Sequence, residues 1–216
     1  MNHVPECSLL LCRSLELRVG YRSLIKNFEL SLHRSEAVAI VGPNGLGKTT
    51  LLRTLCGISR PYRGDVLVSG EMLWPQKKVK TKRDVCFLAS QPALFFEHSV
   101  LDNFEFYLRS LDRETDRTAM LAALKQVGLD RHAKQTARTL STGQKRRLTL
   151  AMLSLARPQT VLLDEPTNGL DDEGSELCLH ILRTLVDGGS GLLIASHDSN
   201  VIGWCHRQLN LREWAS

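Results

Sequence analysis

The chain contains no apolar run close to the ~20 residues that a membrane-spanning helix needs. Its longest apolar segments, such as residues 36–41, have only the length of a strand. No long apolar stretch follows a basic start at the N-terminus, so we predict no signal peptide and expect the protein to stay where it is made. The six cysteines include no Cys-x-x-Cys pair and the histidines do not cluster, which argues against a metal-binding motif and predicts reduced thiols.

The sequence also lacks internal repeats and low-complexity tracts, which excludes repeat architectures. A length of 216 residues fits one large domain, or one domain with a subdomain inserted into it. The formal net charge is +5, and the densest basic cluster is a solvated loop or a contact with lipid headgroups or a partner. No aromatic residues interleave with this cluster, so we do not expect nucleic-acid binding. Its residues are Lys77, Lys78, Lys80, Lys82 and Arg83.

The hydrophobic pattern divides the chain into β-rich, helical and α/β thirds. Period-two or short apolar segments predict strands at residues 15–19, 28–32, 37–41, 65–69, 85–89, 160–163 and 192–195. Helices are predicted at residues 48–56 and 173–186, and leucine, alanine, arginine and glutamate at helical spacing fill residues 92–156. Strands alternating with helices indicate a mostly parallel sheet with helices on its faces.

A glycine-rich loop between the strand at 37–41 and the following helix fits G-x-x-x-x-G-K-[ST] through Gly42, Gly47, Lys48 and Thr49. Glycines let the backbone approach an anion closely, and successive N–H groups and the helix N-terminus then point at phosphate oxygens. Lys48 supplies a positive charge between the β- and γ-phosphates, and the Thr49 hydroxyl is a suitable ligand for Mg²⁺. The loop therefore predicts nucleotide binding.

Two other strands end in residues that complete a phosphoryl-transfer site. The strand at 160–163 ends in Asp164 and Glu165, which point in opposite directions along a strand. We predict that Asp164 holds the Mg²⁺ shell and that Glu165 acts as general base on a water aimed at the γ-phosphate. His197 follows the strand at 192–195 and lies at the predicted ligand-binding edge of the sheet, so we expect it to donate a hydrogen bond to the γ-phosphate.

A second predicted anion-binding helix end follows at Leu140-Ser141-Thr142-Gly143-Gln144, where Ser141 is a good N-cap. A second phosphate-binding helix end in one domain is explained if it binds the nucleotide of a neighbouring copy of the chain. The whole set, in this order, resembles the ABC ATPase family. The segment 140–144 looks like that family's LSGGQ signature, with Thr142 in place of its third-position glycine, where a side chain narrows the approach to the γ-phosphate.

The resemblance implies roles for further residues. Tyr21 is similar to the aromatic residue that stacks on adenine, and Gln91 to the Q-loop glutamine that contacts Mg²⁺ and reports nucleotide state to a partner subunit. Pro166 and the segment 168–171 resemble the residues after the acid pair and the D-loop. Carried over position by position, the implied nucleotide-binding residues are Tyr21, Gly42, Pro43, Asn44, Gly45, Leu46, Gly47, Lys48, Thr49, Thr50, Gln91, Ser141, Thr142, Gly143 and Gln144. The implied catalytic residues are Lys48, Glu165 and His197, and the implied metal ligands are Thr49, Gln91 and Asp164.

The fold that the resemblance implies is an α/β P-loop NTPase of the ABC type. It combines a mostly parallel sheet core, an N-terminal antiparallel β subdomain and an inserted helical subdomain. Residues 1–91 and 157–216 form the predicted catalytic core, and residues 92–156 form the helical signature subdomain. The cofactors implied are ATP and Mg²⁺. The implied partners are a second copy of the chain, which shares two ATP molecules in a head-to-tail dimer, and integral membrane subunits at the cytoplasmic face of the inner membrane.

Within the family, the chain most resembles the ATPase subunits of haem exporters that serve cytochrome c maturation, through Gln91-Pro92, residues 101–104 and residues 140–147. An exporter of peptide, lipid or drug stays open, as does a soluble ABC protein that acts on ribosomes or DNA. A further cluster is either subdomain core or the lining of a groove that receives a helix of the membrane subunit. It consists of Leu94, Phe95, Phe96, Phe104, Phe106 and Tyr107.

Overall fold

The computed structural model describes residues 8–74 and 85–216. The basic cluster at 77–83 and Cys7 lie outside these residues. The described chain forms two compact units. The first comprises Met1–Phe87, Pro158–Glu165 and Val186–Ser216, and the second comprises Leu88–Arg157 and Pro166–Leu185. The sequence-based division at 92 and 156 stays a prediction, and the structure groups residues 166–185 with the helical unit.

The first unit contains two sheets. The antiparallel sheet has the strand order β2-β1-β4-β5 and the other sheet has the order β6-β7-β8-β3-β9. The strands are β1 (Ser8–Val19), β2 (Arg22–His33), β3 (Ala37–Val41), β4 (Arg63–Val68), β5 (Glu71–Met72), β6 (Val85–Leu88), β7 (Thr160–Asp164), β8 (Gly191–Ala195) and β9 (Arg207–Asn210). β7, β8, β3 and β9 pair in parallel. Each strand predicted from the sequence is present, and the predicted α/β fold with an N-terminal antiparallel sheet is confirmed.

Burial explains why these segments are strands. Every residue of β7 and β8 is buried, which matches their continuous apolar composition, whereas β2 alternates between buried and exposed positions. Helix α1 (Lys48–Leu55) follows β3, and Leu51, Leu52 and Leu55 bury its apolar side in the core of the first unit. The short helix α6 (Ser199–Trp204) follows β8.

The second unit is helical. Its helices are α2 (Val100–Ser110), α3 (Arg117–Gln126), α4 (Thr142–Ala156) and α5 (Asp172–Asp187), of which the last two residues belong to the first unit. Side-chain hydrogen bonds cap the N-termini of the first two of these helices. Ser99 and Asp102 form a capping box on α2, and Asp116 caps α3. α4 packs against α2 and α3. In the described residues no helix is both long and apolar enough to cross a membrane.

The aromatic cluster predicted after Gln91 has both buried and exposed members. Phe104 is fully buried in α2, so it belongs to the core. Phe95, Phe96 and Phe106 are 49%, 46% and 55% exposed, and the rings of Phe95 and Phe106 pack edge to face with centroids 4.6 Å apart. The second unit therefore presents an aromatic surface to solvent.

Candidate functional site

The glycine loop links the end of β3 to the start of α1, as its sequence predicts. Gly47 caps α1 with a left-handed conformation at φ 104°, and a Cβ atom there would lie 3.3 Å from a methyl carbon of Leu24. Both the conformation and the close approach favour glycine. The N-terminus of α1 is consequently open, with no side chain hydrogen-bonded to its first N–H groups. Such a helix end favours an anion.

Lys48 lies at the first position of α1 and is buried. Its ammonium donates to the carbonyl oxygens of Gly42 at 2.6 Å and Pro43 at 3.2 Å. Burial lowers the pKa of Lys48 below its usual 10.5, and the carboxylates of Glu165 and Asp164 oppose that shift. The loop's own carbonyls therefore orient a partly desolvated positive charge.

The next residue of α1 meets the end of β7. Thr49 Oγ1 donates to Asp164 Oδ2 at 2.9 Å, and Asp164 is only 3% exposed. A hydroxyl and a carboxylate in contact offer the oxygen donors that Mg²⁺ prefers, so these residues fit that ion.

Glu165 follows Asp164 with an unusual backbone conformation. Its φ is 48°, in the left-handed region that costs a residue with a Cβ about 1–3 kcal/mol. Its N–H donates to the carbonyl of Ala195 at 2.8 Å, and its Oε2 accepts from the backbone N–H of His197 at 3.3 Å. The ends of β7 and β8 thus hold this carboxylate beside His197.

The His197 ring lies between a donor and an acceptor. Its Nε2 is 3.0 Å from Lys48 Nζ and 2.9 Å from Asn44 Oδ1. Lys48 needs a lone pair on Nε2, whereas Asn44 Oδ1 needs a proton there, so the two contacts require opposite tautomers. The half-exposed ring can therefore satisfy only one of these two contacts in a given tautomer.

These contacts bring predicted residues of the glycine loop, α1 and two other strand ends to one edge of the parallel sheet, because β3, β7 and β8 are parallel neighbours whose carboxyl ends coincide. The edge combines a backbone anion site, a lysine, a pair of metal-type oxygen donors, a carboxylate and a histidine. Such a set can bind a polyphosphate, neutralise its charge and deprotonate a water molecule. Gly45, Leu46 and Thr50 lie on the same loop and helix, and Tyr21 is fully exposed in the turn between β1 and β2.

The remaining predicted residues belong to the second unit. Ser141 caps α4 in a capping box: its Oγ accepts from Gln144 N–H at 3.2 Å, and Gln144 Oε1 accepts from Ser141 N–H at 2.9 Å. The side-chain amide nitrogen Nε2 of Gln144 is 3.2 Å from Nε2 of His132. His132 was not singled out from the sequence. The predicted N-cap is confirmed, and Ser141 and Thr142 are exposed.

The start of α4 lies against the segment 168–171. A Cβ atom added to Gly169 would be 3.1 Å from Thr142 Cγ2, and one added to Gly143 would be 3.1 Å from the carbonyl oxygen of Gly169. Arg147 donates to Asp171 at 2.9 Å. The N–H of Gly174, together with this contact, holds the pKa of Asp171 below its usual value. The signature-like and D-loop-like segments are therefore packed together within this unit.

Sequence reasoning also missed Arg146. Its guanidinium donates to the carbonyl oxygens of Ala89 and Ser90, the two residues before Gln91. A buried arginine gives no periodic signal in a sequence, because arginines on a helix are mostly exposed.

Comparison with known proteins places this geometry in context. Residues 25–168 match the family model described as ABC transporter. The chain is 33% identical over 216 residues to the cytochrome c biogenesis ATP-binding export protein CcmA of Pseudomonas syringae pv. syringae, covering 99% of this chain and 100% of the relative. It is 32% identical to the SkfA peptide export ATP-binding protein SkfE of Bacillus subtilis, over 80% of this chain and 72% of that protein.

Among solved structures, the chain is similar to a dimeric ATP-binding cassette in a post-hydrolysis state bound to ADP and Pi. The TM-score is 0.84 at 26% identity, and the alignment covers 94% of each chain.

Proposed function

The chain belongs to the ABC transporter family and is an ATPase that couples hydrolysis to transport, and we propose that it is the ATP-binding subunit of a haem exporter that serves cytochrome c maturation. The observation that carries the ATPase chemistry is the contact of Lys48, Thr49, Asp164, Glu165 and His197 at one sheet edge. The observation that supports the haem substrate is the full-length similarity to a cytochrome c biogenesis export protein.

In the proposed mechanism the N–H groups of the glycine loop and the Lys48 ammonium bind the β- and γ-phosphates. Thr49 and Asp164 would hold Mg²⁺, which when bound would neutralise charge on the phosphate oxygens. The family resemblance proposes Gln91 as a further ligand. Glu165 takes a proton from the attacking water as the water oxygen bonds to the γ-phosphorus and the bond from that phosphorus to the bridging oxygen breaks, which releases ADP. His197 donates a hydrogen bond from Nε2 to the γ-phosphate.

The second half of the ATP site comes from another copy of the chain. Ser141 and Thr142 are exposed at the start of α4. We propose that these residues, with Gly143 and Gln144, contact the γ-phosphate held by the partner's glycine loop. Tyr21 is exposed for stacking on adenine. The dimeric state of a similar cassette supports this arrangement.

We propose that the exposed aromatic surface of Phe95, Phe96 and Phe106 receives an integral membrane subunit, because exposed aromatic side chains are the usual anchors of protein interfaces. We propose that this contact holds the ATPase peripherally at the cytoplasmic face of the inner membrane.

The chemistry is tested by Glu165→Gln in the full chain, with the exposed Glu176→Gln as a matched control. We expect Glu165→Gln to lower kcat for ATP hydrolysis by about 10²–10⁴-fold while ATP binding is retained, since only proton transfer is removed. Light scattering with ATP should then detect a dimer that accumulates in Glu165→Gln and not in Lys48→Ala. Unchanged hydrolysis in Glu165→Gln, or a chain that stays monomeric with saturating ATP, would contradict the mechanism.

Peptide export is the second candidate, favoured by the similarity to SkfE. Deleting the gene in its host, with Lys48→Ala and wild-type copies as complementation controls, separates the two. The haem-export proposal predicts that haem-stained c-type cytochromes disappear and return only with the wild-type copy. Normal levels of haem-stained c-type cytochromes in the deletion strain would contradict the haem-export proposal and favour peptide export.

A further inference from the structure

Arg146 is the largest fully buried side chain of the described residues, with 1% of its surface exposed. A buried guanidinium loses its hydration, so it is retained only where hydrogen-bond partners replace water. It lies in the second turn of α4, two residues after the segment proposed to contact ATP across the dimer.

Its partners include two consecutive backbone carbonyls. Nη1 donates to the oxygen of Ala89 at 2.8 Å and Nη2 donates to the oxygen of Ser90. These residues follow the end of β6 at Leu88 and immediately precede Gln91. The planar fork of arginine spans two neighbouring acceptors, which the single nitrogen of a lysine cannot do in the same geometry.

We propose that Arg146 is a positioning residue that fixes the backbone before Gln91 to the helix whose first turn carries Ser141–Gln144. The inference rests on the proposed function of those two segments. Since α4 is a continuous helix from Thr142 to Ala156, a hydrogen-bonded fork on its second turn transmits a shift of the helix start to the carbonyls at 89 and 90. Gln91 and the signature-like segment therefore change position together. The rate of Mg²⁺-dependent hydrolysis consequently depends on contact of the signature-like segment with the partner's ATP.

A purely structural role for Arg146 predicts a different result. Its loss would then destabilise the second unit without any special dependence on Gln91, and the two substitutions would act independently. The decisive measurement is consequently a double-mutant cycle on kcat. The loss of kcat in a single Arg146 variant does not distinguish the two roles.

The cycle uses the full chain with Arg146→Met, Gln91→Ala and the combination, and the exposed Arg183→Met on α5 as control. We expect Arg146→Met and Gln91→Ala each to lower kcat by about tenfold, within the range of typical coupling energies, with Kd for ATP changed less than about twofold. The double variant should be no slower than the slower single variant. Arg183→Met should match wild type.

Multiplied effects, with the double variant about 100-fold slower, would overturn the proposal. If Arg146→Met gives no cooperative thermal unfolding, Arg146→Lys carries the same cycle, because it keeps the charge and removes the fork. Wild-type kcat in Arg146→Lys would also overturn it. If wild type itself hydrolyses no ATP, or Glu165→Gln has no effect, the proposed function fails; multiplied effects in an active wild type contradict only the role of Arg146.

Discussion

Replacing Thr49 by valine removes one hydroxyl and keeps the shape of the side chain. That hydroxyl donates to Asp164, whose carboxylate is 3% exposed and has little water to replace the lost donor. A hydrogen bond to a charged group contributes about 1.5–3 kcal/mol, so we expect Thr49→Val to lower the free energy of unfolding by about 2 kcal/mol. Thr49→Ser keeps the donor and should stay within about 0.5 kcal/mol of wild type.

The same substitution should separate Mg²⁺ from ATP. If the lost oxygen is a metal ligand worth about 2 kcal/mol, binding of MgATP weakens by about 30-fold, while binding of ATP in EDTA is unchanged. Urea titration followed by tryptophan fluorescence, without nucleotide, gives the stability term. Titration of a fluorescent ATP analogue with and without Mg²⁺ gives the binding term.

Two results would refute this reasoning in different ways. Equal stability of Thr49→Val and Thr49→Ser would mean that the contact with Asp164 contributes nothing to folding. Equal weakening of ATP with and without Mg²⁺ would mean that Thr49 acts through loop geometry and not as a metal ligand.

Three further results are expected. Ser141→Ala should cost about 1 kcal/mol of unfolding free energy and speed hydrogen exchange at the start of α4, with Ser141→Thr as control; protection equal to wild type would contradict the cap. Burial raises the pKa of Cys12 to about 12 and that of Cys205 to about 11, so iodoacetamide at pH 8 should modify Cys56 before either, as mass mapping would check. The Ser99 hydroxyl and backbone hold the pKa of Asp102 below its usual 3.8, so its stabilisation is present above that pH and is lost as pH falls through the folded value. The thermal melting temperature of Asp102→Asn should therefore fall less on acidification than that of wild type. Parallel curves of melting temperature against pH for the two proteins would show that Asp102 does not contribute to this pH dependence.

Seven strands were predictable because each carries a local signal, whereas β5 and β9 were not predicted. β7 and β8 are continuous apolar runs of the length of a buried strand, and the glycine loop after β3 marks both the strand end and the helix start. Some element ends shifted by one or two residues, as where β4 begins at Arg63 and not at 65, but β1 begins at Ser8 and not at 15 and β2 at Arg22 and not at 28. End positions depend on tertiary pairing, which local composition does not contain.

The catalytic cluster was predictable for a topological reason. Three parallel neighbouring strands end in functional residues, so their side chains have to meet at one edge. The hydrogen-bond roles were not predictable in the same way. The opposed contacts of His197 with Lys48 and Asn44, and the left-handed φ of Glu165, depend on tertiary distances that no motif specifies.

Thr142 shows why a departure from a motif cannot be judged from the motif alone. Its methyl group faces Gly169, where φ is +80° and an added Cβ atom would lie 3.1 Å away, so both conformation and contact require glycine at 169. A Cβ atom added at 143 would lie 3.1 Å from the carbonyl oxygen of that glycine, so glycine is favoured at 143 as well. A side chain at 142 therefore constrains a segment far along the chain. The sequence motifs describe the segments around 142 and 169 independently. In the folded chain the two are packed together, so the side chain at 142 depends on the absence of one at 169.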